Sequence, residues 1–521
     1  AVMKLVTAEQ MRALEATAAA QGIDEAQLME NAGVAVAQEA WINMGAAEGR
    51  NAVVLVGPGN NGGDGLAAAR NLKEWGAEVF VFLLTPRSDD DPQWRALQGE
   101  AIEAWSTDED PDLERLEATL AEAHGVVDAL LGTGLSRPID GVLEAVLDKL
   151  AERRAQRIFR PHLISIDVPT GVDPDTGRAD PAVVRADTTV ALGFAKVGLF
   201  AMPGRAIAGD VVETDIGLPE ALGDDLPFED IRQRDLTERM PFRSDDAHKG
   251  TFGTTVVAAG SRRYPGAARL ASEAALRAGA GLVVLAAPDS TQALVAAGPP
   301  EVTLHPLPDA GGAVSANAAA ELLRAVDGCE ALLLGPGLSH TTETAAFVAN
   351  VLAGLDSVEG LRGVVLDADA LNAIAERPGW HESLGVARVL TPHPGEMARL
   401  LGLTVEEVQR DRLRLAVDYA QRTSSVVVLK GANTVVAGPD GRARLSEFSS
   451  AVLATAGTGD VLAGFIASLI GQGMEPFDAA SAAVYLHNES GRALEGAMGA
   501  ATAVASDVLR ALPDVRKALD G

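Results

Sequence analysis

The stretch with the most chemistry in it is AGTGDVLAGF, residues 456–465: glycines flank Thr458, Asp460 follows, and Val461, Leu462, Phe465, Ile466 and Leu469 recur at helical spacing. The pattern predicts a helix that opens on glycines. Glycine lets a ligand come close to the backbone, the first N–H groups of a helix have no intrahelical partner, and the helix dipole favours negative charge there. Such a pocket suits a phosphate. A carboxylate is repelled beside phosphate unless it has a proton to accept, and Asp460 is placed to take one from a hydroxyl about to be phosphorylated. The same residues also suit a simpler role, with Asp460 capping a helix behind a glycine turn.

Other elements must position this stretch and the polar clusters that accompany it. Residues 8–46 read as two helices with a break near Gly22. Ala52–Val56 reads as a buried strand, Gly57–Asp64 as a glycine-rich loop and Leu66–Trp75 as a helix ending at Gly76. Val79–Leu84, Gly125–Leu130 and His162–Asp167 read as further strands, with Pro92–Trp105 and Leu113–Ala123 as helices and Thr188–Leu192 and Asp210–Thr214 as closing strands. Strand and helix alternate, as in a parallel sheet covered on both faces. Ligands of such sheets bind beyond the carboxyl ends of the strands, so the loops 57–64, 128–140 and 167–173 are expected to line one crevice.

Between Leu218 and Arg243 the chain is acidic, proline-bearing and without clear periodicity, which predicts a linker. A second set of strands follows at Thr254–Ala259, Leu282–Ala286, Ala331–Leu334, Val364–Asp367, Val389–Leu390, Ser425–Lys430 and Thr434–Ala437, with helices at Gly266–Ala278, Gly459–Ile470 and Pro476–Leu494. The expected organisation is a first domain over 1–220, a linker over 221–240 and a second domain over 241–521.

Composition sets the outer limits. A chain of 521 residues exceeds one ordinary core, so two domains are expected. No apolar run reaches the length of a membrane span and the N-terminus lacks a secretory pattern, which predicts a soluble, cytoplasmic protein; the single cysteine fits a reducing compartment. A net charge of -30 argues against nucleic acid and anionic membranes as partners, while leaving small phosphate ligands open, because those are held locally by backbone amides.

Four motifs in the first half, MENAG (29–33), GPGNNGGDG (57–65), DALLGTG (128–134) and SIDVPTG (165–171), resemble the successive motifs of the NAD(P)H-hydrate epimerase family over residues 1–220. The resemblance implies a Rossmann-like α/β three-layer sandwich. It implies that hydrated NADH or NADPH is held by Asn60, Asn61, Gly62, Gly63 and Asp64 and by Gly132, Thr133, Gly134, Leu135, Ser136, Arg137 and Pro138, with Asp167 as acid–base group. It also implies K+ on Asn61, Asp128 and Thr170, where position 170 carries threonine instead of the usual serine and keeps the hydroxyl; hard oxygen ligands suit that cation.

In the second half HKGTFG (248–253), GPGL (335–338), LDADALN (366–372), TPHPGE (391–396), KGANT (430–434) and AGTGD resemble ADP- or ATP-dependent NAD(P)H-hydrate dehydratase, of ribokinase-like three-layer α/β fold, over 241–515. The implied chemistry is phosphorylation of the hydroxyl and elimination of phosphate, with the ring nitrogen pushing. Lys430, Gly431, Ala432, Asn433, Thr434 and Gly459 are implied to hold the adenine nucleotide, and Ala267, Gly337, His393 and Asp460 the hydrate. Asp460 is the implied catalytic residue, and Glu396 is implied to organise Mg2+ through water. The partners are thus the hydrate and an adenine nucleotide, with the family inclining towards symmetric homo-oligomers.

Two rival readings bear on the halves separately. The second half could be a vitamin kinase acting on a pyrimidine or thiazole alcohol, against which TPHPGE and HKGTFG argue; the first could be a silent assembly module, against which intact Asn61, Asp128 and Asp167 argue.

Overall fold

The computed structural model describes residues 3–45, 49–133, 138–156 and 158–519. The chain divides into two compact units, Met3–Phe228 and Glu229–Gly521.

The first unit is built on seven strands: β1 (Asn51–Val56), β2 (Glu78–Leu83), β3 (Glu103–Ser106), β4 (Gly125–Ala129), β5 (His162–Ile166), β6 (Thr188–Leu192) and β7 (Asp210–Thr214). They lie in the order β3-β2-β1-β4-β5-β6-β7 and every adjacent pair is parallel. The strands are apolar at consecutive positions because both faces are covered. Val54 and Val56 of β1 pack on one side with α1 (Ala8–Ala20), α2 (Glu25–Asn43) and α3 (Asn60–Glu74), whereas Val53 and Leu55 pack on the other with α4 (Glu114–Glu122) and α5 (Gly141–Ala155). The order reverses between β1 and β4, and a ligand crevice belongs beyond the carboxyl ends of those two strands.

Two expectations are corrected here. The glycine-rich segment is not a loop through Asp64, because α3 already begins at Asn60. Its glycines serve close packing: a Cβ on Gly62 would lie 2.2 Å from the Gly57 carbonyl oxygen, on Gly63 2.7 Å from the Met29 sulfur and on Gly65 2.5 Å from Ala129 Cβ. The segment 92–105 is not one helix either; it is helical only over Pro92–Gln98 and then enters β3. Gly99 ends the helix, and Trp105 is buried edge-on to Phe82 at 6.1 Å, although its Ala and Glu neighbours have helical preference.

Because Gly65 presses α3 onto β4, Gly65→Ala is expected to lower stability by about 1–3 kcal/mol, read as a shift of the urea midpoint. An unchanged midpoint would show that the contact yields.

The main sheet of the second unit includes nine strands: β8 (Thr254–Ala258), β9 (Leu282–Pro288), β10 (Thr303–Leu307), β11 (Ala331–Leu334), β12 (Gly363–Leu366), β13 (Arg388–Leu390), β14 (Val426–Leu429), β15 (Val435–Ala437) and β16 (Ala443–Leu445). Their order is β10-β9-β8-β11-β12-β13-β14-β15-β16, parallel from β10 to β14 and antiparallel beyond. Helices α6 (Pro265–Arg277), α7 (Thr458–Gly471), α8 (Pro476–Met498) and α9 (Ala505–Leu519) share a core with this sheet. Every residue of α7 from Val461 to Gly471 is buried, which is why its sequence is apolar all round. No helix among the described residues is long and apolar enough to cross a membrane.

Candidate functional site

In the second unit the polar residues gather at the carboxyl ends of β12, β13 and β14. Asp367 follows β12 and is almost wholly buried; its Oδ1 accepts hydrogen bonds from Thr391 Oγ1 at 2.7 Å and Lys430 Nζ at 2.9 Å. Lys430 follows β14, and its Nζ also lies 3.9 Å from Glu396 Oε2. Glu396 is held in turn by the first turn of the helix Pro394–Leu401, where Oε2 accepts the His393 N–H at 2.8 Å. His393 returns the contact, Nδ1 accepting the N–H groups of Gly395 and Glu396 at 3.0 and 3.3 Å.

Helix α7 brings Asp460 to this cluster. Its cap residue Gly457 has φ 90°, a conformation glycine adopts without penalty, and no side chain caps the first turn, so the N–H groups of Gly459 and Asp460 stay available to a ligand while that of Thr458 goes to the Thr455 carbonyl. A Cβ on Gly459 would lie 3.3 Å from Lys430 Nζ, which puts the lysine beside that turn. Burial pushes the Asp460 carboxyl up to about 7; Asp367 adds to the rise, Lys430 opposes it, and Asp369 and Glu396 add again. A carboxyl poised there is a suitable proton acceptor near neutral pH. Beneath the turn His487, buried and pushed down to about 4 by desolvation, donates from Nε2 to the Thr458 carbonyl at 2.9 Å.

In the first unit the same architecture recurs with different side chains. α3 also begins behind a glycine, Gly59, with no side-chain cap. Asp128, at the end of β4, is buried; it accepts from Thr170 Oγ1 at 2.6 Å, the Thr170 N–H at 2.9 Å, Ser165 Oγ at 3.0 Å and the Leu130 N–H at 3.3 Å. Burial raises its pKa and the Thr170 hydroxyl opposes most, with a net rise. Asp167, after β5, has φ 64°; its Oδ1 accepts from Lys196 Nζ at 2.6 Å and the Leu192 N–H at 3.3 Å. Asp64 on α3 is raised well above the usual carboxylate range by burial, then by Asp167 and Glu15, against Lys196.

Two family comparisons divide the chain as its geometry does: the NAD(P)H-hydrate dehydratase family matches residues 255–514, and the family described as YjeF-related protein N-terminus matches residues 25–198. A bifunctional NAD(P)H-hydrate repair enzyme of Moorella thermoacetica is 37% identical over 534 residues, covering 99% of this chain and 97% of the relative. The chain belongs to the bifunctional NAD(P)H-hydrate repair enzyme family. Members from Salinibacter ruber and Escherichia coli are 37% and 34% identical over 95% and 89% of this chain, and 92% and 85% of their own lengths. A crystal structure of the ADP/ATP-dependent NAD(P)H-hydrate dehydratase of Bacillus subtilis is 32% identical, with a TM-score of 0.49 over 57% of this chain and 99% of that one.

Within this repair-enzyme chain, most residues singled out from the sequence fall into one of the two clusters. Asn60 and Asn61 open α3, Gly62 and Gly63 pack beneath its first turn, and Gly132 lies 3.2 Å, by its missing Cβ, from Asn61 Oδ1. Thr133 is half-buried and Pro138 exposed; Gly134, Leu135, Ser136 and Arg137 lie outside the described residues. Ala267 begins α6 against Gly337, whose missing Cβ would be 2.8 Å from Ala267 Cβ. Gly431 and Ala432 are exposed beyond β14. Asn433 and Thr434 turn inward instead: Asn433 Nδ2 donates to the Ser446 carbonyl at 2.8 Å and Thr434 Oγ1 to the Gly431 carbonyl at 3.1 Å, so their side chains build the loop.

Sequence reasoning left Asp367, His487, Asp64 as a proton carrier, and Lys196 without their part in these clusters. Lys196 had a signal: a lone lysine among Ala195, Val197, Leu199 and Phe200, all buried, needs an anion.

Proposed function

We propose that the first unit interconverts the R and S epimers of hydrated NADH and NADPH, and that the second dehydrates the S epimer at the expense of ADP or ATP. The observation that carries this reading is that a single chain spans 97% of a bifunctional relative, with a separate buried acidic cluster beyond the strand ends of each unit.

In the second unit Asp460 takes the proton of the substrate hydroxyl as its oxygen attacks the terminal phosphoryl group and the rest of the nucleotide leaves; phosphate then departs as the ring nitrogen's lone pair forms a C=N+ bond, and loss of a proton from the neighbouring ring carbon gives the ring C=C and restores the nitrogen lone pair. The uncapped turn of α7 and Lys430 face the negative charge of the phosphates. Mg2+ fits this site, because it is usually held by one or two carboxylates plus substrate phosphates, and no cage of three acidic, histidine or cysteine side chains exists among the described residues. Asp367 and Glu396 would hold it; when bound it neutralises phosphate charge. Glu396, tied to the His393 N–H, would do so through water.

K+ fits the first unit. Asp128 is a buried carboxyl without a cationic partner among the described residues, and Asn61 Nδ2 is buried with no hydrogen-bond partner, an amide whose two ends are interchangeable in assignment. Asn61, Asp128 and Thr170 would supply the oxygens. Replacing K+ by Li+ is expected to slow epimerisation while leaving dehydration of the pure S epimer unchanged.

We place this repair in the cytoplasm and the protein in a homo-oligomer, the latter checked by light scattering. The primary test is recovery of NADH from an equilibrated epimer mixture with Mg2+, K+ and either nucleotide. Complete recovery faster than spontaneous epimerisation is expected; recovery that stalls when the S form is exhausted would remove the epimerase half of the proposal.

A further inference from the structure

The acid–base group of the first unit has company to which the sequence motifs give no proton-transfer role. Three carboxyl groups, Asp64 on α3, Asp167 after β5 and Glu15 on α1, lie close enough for their charges to act on one another, and one cation, Lys196, lies among them. Arg12 and Glu25 act on Glu15 from α1 and α2. The lysine is almost completely buried, and its three N–H bonds are all committed: to Asp167 Oδ1 at 2.6 Å, the Phe194 carbonyl at 3.1 Å and the Leu192 carbonyl at 3.4 Å. It therefore has nothing left for Asp64. Asp64 is buried too, though less completely, and has neither an ion pair nor a hydrogen-bond partner for its side chain among the described residues.

The charge count follows from that geometry. Like charges held together in a buried site cannot all be ionised, and Asp64, the carboxyl without a partner, is the one that holds a proton. Lys196 and the Leu192 N–H occupy only Oδ1 of Asp167; Oδ2 has no protein partner among the described residues and is the oxygen left to meet a substrate.

We propose that Lys196 sorts these two carboxyls into an acid–base couple, with Asp167 as the base that takes the proton of the substrate hydroxyl and Asp64 as the acid that gives one to the ring nitrogen. This rests on the epimerase reading of the first unit. The hydrated carbon bears a hydroxyl and is bonded to the ring nitrogen, so its configuration is lost by opening the ring. Asp167 removes the hydroxyl proton, the O–H electron pair becomes the second bond of a carbonyl, and the C–N bond breaks. Its electron pair goes to nitrogen, which takes the proton of Asp64. The aldehyde turns, nitrogen adds to its other face and returns its proton to Asp64, and the alkoxide recovers the proton held by Asp167. Both carboxyls end as they began. No redox partner is involved. Lys196, which touches Asp167 and not the reacting atoms, is a positioning residue.

The test follows conversion of one purified epimer into the other by NMR, in the full-length protein with K+ and no nucleotide, so that dehydration does not consume the substrate. Asp64→Asn replaces a protonated carboxyl by an amide of the same shape, so its thermal midpoint is expected to be no lower than wild type. Its epimerisation rate is expected to fall about 10²–10⁴-fold, with loss of the alkaline limb of the pH profile. Lys196→Met is expected to lower kcat for exchange with KM little changed, a split that loss of packing alone would not produce. Asp64→Asn exchanging within about threefold of a wild type that itself exchanges normally would overturn the couple while leaving the epimerase reading intact. No exchange in the wild type would overturn that reading and the couple with it.

Discussion

Asp460→Asn is expected to lower the dehydration rate about 10²–10⁴-fold, the usual contribution of a positioned proton acceptor, with nucleotide affinity unchanged. The asparagine keeps the shape and the α7 turn, and the phosphate-facing groups, Lys430 and the uncapped N–H groups, are untouched. The wild-type rate should itself decline below about pH 7 as Asp460 takes up a proton. Stability should move the opposite way. A carboxyl raised from 3.8 to about 7 on folding gives stability that is fully present below 3.8 and lost as pH rises through about 7, since the buried site disfavours the charge. Asp460→Asn removes that loss, so the variant should be more stable than wild type at pH 8 by on the order of 1–3 kcal/mol and close to it only below about pH 4. Full dehydratase activity in the variant would end Asp460's role as proton acceptor; equal stability at pH 8 would show that the carboxyl is better solvated than its surroundings indicate.

How much of this was legible in the sequence depended on whether a side chain's task is local or long-range. The parallel sheet of the first unit and a crevice beyond its strand ends follow from alternating strand and helix, a signal contained within some thirty residues at a time. The opening of α7 on Gly457 could be read from AGTGD because a helix start is local. The opening of α3 at Asn60 was misplaced because three glycines in six residues read as a loop, whereas here each glycine answers to a partner distant in sequence: Gly62 to Gly57, Gly63 to Met29, Gly65 to Ala129. Asp367 was visible as part of LDADALN, but what it does depends on Lys430, sixty-three residues on, and Thr391, twenty-four on. Lys196 and Asp167 meet because β5 and β6 are neighbours, a pairing that no single stretch of sequence contains.

That long-range dependence makes Lys430 the residue whose loss should disturb the second unit most. Lys430→Met is expected to destabilise the protein by about 3–5 kcal/mol, the usual result of removing one partner from a buried ion pair, because Asp367 would remain buried with only Thr391 to stabilise its charge. The lysine's own pKa is raised, burial opposing and Asp367 and Glu396 prevailing. Its contribution is therefore fully present below 10.5 and lost only as pH rises through the higher folded value, so it is complete across the neutral range. Adding Asp367→Asn should restore much of the lost stability, since the unpaired charge goes with it. Activity should not return. Lys430 holds the Asp460 carboxyl down, so in Lys430→Met the pH at which dehydration half-declines should move above about 7, and the phosphate-facing charge is gone as well. Urea unfolding and the pH profile of the full-length variants separate these effects. A loss under about 1 kcal/mol would mean that the Lys430–Asp367 pair does not hold this site together. An unmoved pH limb would mean that the group titrating there is not Asp460, which would undo the assignment of that residue as the proton acceptor even if its replacement were inactive.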